Sequence, residues 1–112
     1  MNVTKREISG VTVLDLKGKI TIGVGDVALR DAVQEAVNSG ATKILLNMEG
    51  VGTIDSSGIG EIVSAYTTVT NRGGKIKLCA LPPKVADILQ ITQLITVFDV
   101  LDDVDEGVQS FQ

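Results

Sequence analysis

The amino-acid sequence predicts an α/β domain: a mixed β-sheet of four to five strands with about four α-helices packed against it. Three observations predict it. Short apolar runs rich in β-branched residues alternate with stretches whose apolar residues recur at helical spacing, and glycine or proline marks the breaks. The 112 residues suffice for one ordinary core and leave little room for a second, so residues 1–112 are expected to form a single domain. With 44% apolar and 21% charged residues, the balance is that of a folded chain and not of a disordered tail.

Val11 to Leu16 is β-branched and partly alternating, hence a strand, and Asn2 to Ile8 pairs with it as a hairpin across Ser9-Gly10. Gly18 interrupts the pattern, and Lys19 to Ile22 reads as a short further strand ending at Gly23. From Asp26, a predicted N-cap, the period becomes helical. Leu29, Ala32, Val33, Ala36 and Val37 share one face, and Gly40 stands where a terminating glycine belongs. Lys43 to Met48 is a nearly continuous apolar run of the kind found mid-sheet, followed by an expected connection from Glu49 to Thr53.

Ile54 leads into a second helix with an expected buried stripe of Ile59, Ile62, Val63, Tyr66 and Val69, ended by Asn71-Arg72-Gly73-Gly74. Its outward side, with Ser64, Ala65, Thr67 and Thr68, is small and uncharged, a flat docking surface. Lys75 to Cys79 alternates as a strand. Pro82-Pro83 opens a third helix with Val85, Ile88 and Leu89 inward. Thr96 to Asp99 reads as a last short strand, after which Asp102 or Asp103 caps a terminal helix carrying Val104, Val108 and Phe111.

Composition narrows function. A net charge of −4, with three aromatic residues in all, offers neither a basic stripe for phosphates nor a platform for base stacking, so no direct nucleic-acid partner is expected. The absence of histidine removes the usual general base and the commonest metal ligand. A single cysteine, Cys79, excludes an internal disulfide and a thiolate zinc cage, and its alternating strand makes it an inert core residue. No apolar run approaches a membrane span and the first residues are polar, so a cytoplasmic protein without membrane insertion is expected. No cofactor is called for. Gly23 to Ala28 matches the G-x-G-x-x-A dinucleotide fingerprint, with Glu49 as a ribose-binding acid, but the chain has no room for a substrate half, and a turn entering the first helix accounts for it. A hydrolase built on Ser56 lacks both a nucleophile elbow and a base. Asp102-Asp103 reads as a cap and solvated turn, not a metal site.

The informative segment is Ile54-Asp55-Ser56-Ser57-Gly58-Ile59-Gly60-Glu61, between the central strand and the second helix. Plain N-capping explains an Asp or Ser before a helix. It does not explain two glycines in the first turns, each costing about 1 kcal/mol relative to alanine. Glycines at 58 and 60 leave the turn open to close approach, and a hydroxyl there is placed both for partner contact and for accepting a phosphoryl group.

Asp55-Ser56-Ser57-Gly58-Ile59-Gly60 resembles the signature of STAS domains, specifically the bacterial anti-sigma factor antagonists. Leu16 to Ile20, Ile44 to Leu46, Gly73 to Leu78 and Leu94 to Phe98 match as well, so that the likeness covers residues 3–111. The resemblance implies a STAS-like fold and a non-enzymatic regulator of transcription acting by partner switching. The unphosphorylated antagonist would bind an anti-sigma factor that is also a serine kinase and free the sigma factor; phosphorylation would break that complex, and a phosphoserine phosphatase would reset it. The implied acceptor is Ser56, with Ser57 as second candidate. The implied partner-binding residues are Thr21, Asp55, Ser56, Ser57, Gly58, Ile59, Gly60 and Glu61. Thr21 stands where many members carry an acidic residue, on the loop expected to neighbour Ser56, and the following Gly23-Val24-Gly25-Asp26 is unusually rich in glycine. Other STAS domains serve, without a phosphorylation cycle, as docking subunits of lipid transporters or sensory assemblies, which is the alternative function.

Overall fold

A computed structural model describes residues 1–112. Five strands form one sheet in the order β1-β2-β3-β4-β5. They are β1 (Asn2–Ile8), β2 (Val11–Ile20), β3 (Lys43–Ile54), β4 (Lys75–Cys79) and β5 (Val100–Leu101). The hairpin β1–β2 is antiparallel, as expected from Ser9-Gly10, and every other pairing is parallel. Four α-helices join and follow them: α1 (Gly25–Asn38), α2 (Ser56–Asn71), α3 (Pro83–Ile91) and α4 (Val104–Gln109).

Side chains of successive strand residues point to opposite faces, and the core divides accordingly. Leu14, Leu16, Ile44, Leu46 and Leu78 meet α1, α2 and α3 on one face. Val11, Val13, Leu45 and Cys79 meet Val108 of α4 on the other. Both faces of β3 are thus covered, which is why Lys43 to Met48 shows hardly any polar alternation.

The structure departs from the sequence reading in several places. Lys19 and Ile20 are no separate strand: β2 continues through Gly18, whose φ of +120° bends it at a register shift, and Thr21 and Ile22 leave the sheet. Glu49 to Thr53 is no connection but the second half of β3, because the bulged end of β2 still offers a partner to Gly50, Val51 and Thr53. Asp26 lies in the first turn of α1 and is not its cap; Val24 holds that position, and the Asp26 carboxylate accepts the Val27 N–H at 2.8 Å. Gly40 does end the helix, at φ +94°.

On α2, Val63 is exposed and Ala65 is buried, the reverse of expectation, because α1 packs beside α2 and claims the Ala65 side. Thr96 to Asp99 is no strand. A left-handed Gln93 starts a 3-10 turn over Leu94–Thr96, and Phe98 is buried edge-to-face on Tyr66, with ring centroids 5.4 Å apart. Asp103 rather than Asp102 caps α4, accepting the Glu106 N–H at 2.8 Å. Lys77 ties that short helix to the sheet, donating to the Ser110 carbonyl at 2.9 Å beneath the ring of Phe111.

Candidate functional site at the start of helix α2

The site forms where β2 and β3 end side by side, with Ile20 paired to Ile54. Beyond these residues the chains must diverge, β2 into the loop Thr21–Val24 and β3 directly into α2. Asp55 is the N-cap of α2: its Oδ1 accepts the Gly58 N–H at 2.9 Å. Its other oxygen, Oδ2, accepts the Ile22 N–H at 3.1 Å. One carboxylate therefore satisfies the helix terminus and pins the neighbouring loop. The Gly58 N–H first, and the Ile22 N–H second, hold the Asp55 carboxyl below its ordinary pKa of 3.8.

With Asp55 as cap, neither serine has a capping duty. Ser56, the first helical residue, is exposed, and Ser57 is half-buried. Gly58 is buried under the end of β2: a Cβ there would collide with the Ile20 carbonyl and lie 2.7 Å from Ile54 Cγ1. Its glycine is a packing requirement. Gly60 is the opposite case, exposed and with nothing within 4 Å of where a Cβ would stand. Nothing inside the chain calls for glycine at that position.

The eight residues that the resemblance implies as partner-binding do not share one surface. Ser56 and Gly60 lie outward, Asp55 sits between them and the loop, and Gly58 lies beneath. Ile59 is half-buried on the core. Glu61 turns sideways to α1, where it meets Arg30 at 3.4 Å. Thr21 uses its carbonyl to accept the Asp26 N–H at 3.1 Å, closing the loop into α1. That closure, with the Asp26 carboxylate in the first turn of α1, also disposes of the dinucleotide fingerprint: the helix terminus already carries a negative group.

Residues that the sequence pattern did not offer for the site are Ile22 and Val24, 73% and 67% exposed on the pinned loop; Val63, expected in the buried stripe, lies exposed on α2. Strand-like alternation hid Ile22. The available signal was the pair Gly23 and Gly25, which brackets Val24 and ends the strand-like run just after Ile22.

Residues 2–107 match the family model of the STAS domain. The Anti-sigma F factor antagonist of Paenibacillus polymyxa is 26% identical over 84% of this chain and 80% of its own length. A Thermotoga neapolitana homologue of TM1081, provisionally named an anti-sigma factor antagonist, is 33% identical over 70% of this chain and 69% of its own. Among solved structures, the Bacillus cell fate determinant SpoIIAA in its phosphorylated form shares the fold, with a TM-score of 0.77 at 19% identity over 99% of this chain and 100% of that one. The chain belongs to the STAS domain family. Within that family it stands with the anti-sigma factor antagonists, which are regulatory domains and not enzymes. No helix is long and apolar enough to cross a membrane.

Proposed function

We propose that this chain is the antagonist component of a cytoplasmic partner switch. In its unmodified form it binds an anti-sigma factor that is also a serine kinase and thereby releases a sigma factor. Phosphorylation of Ser56 abolishes that binding, and a phosphoserine phosphatase restores it. The observation that carries this reading is the division of labour at the start of α2: Asp55 supplies the cap, and the adjacent Ser56 presents an exposed hydroxyl with no structural task. Ser57, half-buried, is the less accessible hydroxyl of the pair. A phosphorylated form of SpoIIAA, which has this fold, is consistent with the same chemistry here.

The switch is electrostatic and steric. A phosphoryl group adds a charge of about −1.5 to −2 and three acceptor oxygens. In the free chain the N-terminal end of α2 tolerates an anion, at typically 0.3–1 kcal/mol of favourable interaction. Against a partner surface shaped for a hydroxyl, the same group would be desolvated beside the Asp55 carboxylate. A loss of roughly 3–4 kcal/mol in binding, a few hundred-fold in affinity, is the scale expected.

The test is incubation with the anti-sigma factor serine kinases of the source genome and ATP, followed by mass spectrometry of the chain. A single phosphate on Ser56, absent from Ser56→Ala, is the expected result. No incorporation at either serine overturns the reading and leaves a non-phosphorylated docking domain.

A further inference from the structure

The loop beside Ser56 carries a feature that the switch itself does not require. Ile22 and Val24 are 73% and 67% exposed, on a loop whose backbone is tied by hydrogen bonds to α2 and to α1. The Asp55 carboxylate takes the Ile22 N–H at 3.1 Å, and the Asp26 N–H reaches back to the Thr21 carbonyl at 3.1 Å. Two aliphatic side chains on a fixed loop gain nothing from water, and ordering them in advance lowers the cost of burying them later.

Charge is kept to the flanks of this surface, at Lys19, Asp26 and Glu61. From Ile20 to Gly25 the loop has no ionisable side chain, and neither has α2 from Ser56 to Gly60. The Asp55 carboxylate, which lies between the two stretches, is occupied by two backbone donors. Within these two stretches the chain offers a partner no salt bridge. Contact with them is made by apolar packing and shape.

We infer that Ile22 and Val24 form an apolar knob that seats in an aliphatic socket on the same anti-sigma factor kinase that contacts Ser56, and that this knob decides which kinase the chain accepts. The inference rests on the proposed partner switch. It adds the chemistry of the partner's surface: an uncharged aliphatic recess adjoining the contact for the Ser56 hydroxyl. Asp55 is the positioning residue, since it fixes knob and hydroxyl to one another.

The experiment measures binding of the full chain to each purified anti-sigma factor serine kinase of the source genome by calorimetry without ATP. Wild type, Ile22→Ser/Val24→Ser and Ser56→Asp are compared, each checked for an unchanged circular dichroism spectrum. The double variant is expected to bind about tenfold or more weakly. Wild-type affinity is expected to change less than about threefold between about 0.05 and 0.5 M salt. A smaller loss in the double variant, or a steep salt dependence, overturns the knob. Should the double variant not fold, Ile22→Thr and Val24→Thr are measured singly, and each must cost about threefold. If Ser56→Asp binds like wild type while the knob variants lose affinity, the switch fails and the knob stands. The converse pattern leaves the switch and removes the knob, and binding to none of the kinases removes both.

Discussion

The carboxylate of Asp55 and the backbone N–H of Ile22, 33 residues apart in sequence, meet at 3.1 Å across the gap between α2 and the loop that leaves β2. The parallel pairing of β2 with β3 makes this possible by ending both strands at one level, Ile20 against Ile54. The capping residue of a helix thereby sets the position of a loop from another crossover. Asp55 is more than a cap, since replacing it with another capping residue would keep one bond and lose the other.

That arrangement has a pH signature. The folded-state pKa of Asp55 lies below 3.8, so its two bonds contribute stability that is complete above that pH and is lost as pH falls through the lowered value. In a titration followed by amide chemical shifts, Gly58 and Ile22 should move together with a midpoint below 3.8. Asp55→Asn should abolish the shared transition and flatten that part of the stability profile. Separate midpoints for the two amides would contradict the bridge.

Gly58 and Gly60 should respond oppositely to alanine. At Gly58 the new methyl meets the Ile20 carbonyl, which is backbone and cannot yield, so Gly58→Ala should destabilise by about 1–3 kcal/mol or more. At Gly60 the space is open, and Gly60→Ala should stabilise by about 0.5–1 kcal/mol through helix propensity alone. Urea denaturation gives both values. Should Gly60→Ala also weaken partner binding, the glycine serves close approach by a partner; a loss of stability in that variant would refute the open-space account.

Much of this was legible in the chain. Periodicity located the four helices and the strands from Asn2 to Leu16, Lys43 to Met48 and Lys75 to Cys79, because those segments are decided by local burial pattern. The second half of β3 was not legible. Glu49 to Thr53 carries two glycines and little apolar character, and it is a strand only because bulged β2 lies alongside. The same holds for the faces of α2, where a neighbouring helix, and not the periodicity of α2 itself, decides between Val63 and Ala65. At the site, the Asp55-Ser56-Ser57-Gly58 turn announced itself by composition. The role of Ile22 did not, since a backbone bond to a distant carboxylate leaves no mark in local sequence.

Cys79 should be chemically silent in the native state. It lies fully buried under α4, and desolvation pushes its thiol up to about 11. An aromatic disulfide reagent at pH 8 should therefore react only as fast as the chain opens, and at once in denaturant. Because the folded state keeps its thiol proton where the unfolded state has lost it, stability should decline as pH rises from 9.0 towards 11. Cys79→Ala should remove that decline; rapid labelling of the native chain would contradict the burial.

Phosphorylation at Ser56 should leave the backbone where it is. The cap of α2 is provided by Asp55, and the helix seat by Gly58 against Ile20, so no contact that defines the fold passes through the Ser56 hydroxyl. A phosphate at the first helical residue gains from the helix dipole and loses from proximity to Asp55, two opposing effects of similar small size at an exposed position. Ser56→Asp and the phosphorylated chain should accordingly keep wild-type hydrogen-exchange protection in α2 and β3 while losing a few hundred-fold in partner affinity. Should exchange instead accelerate across α2, the switch would work by melting the helix, and exclusion at the interface would be the wrong physical cause.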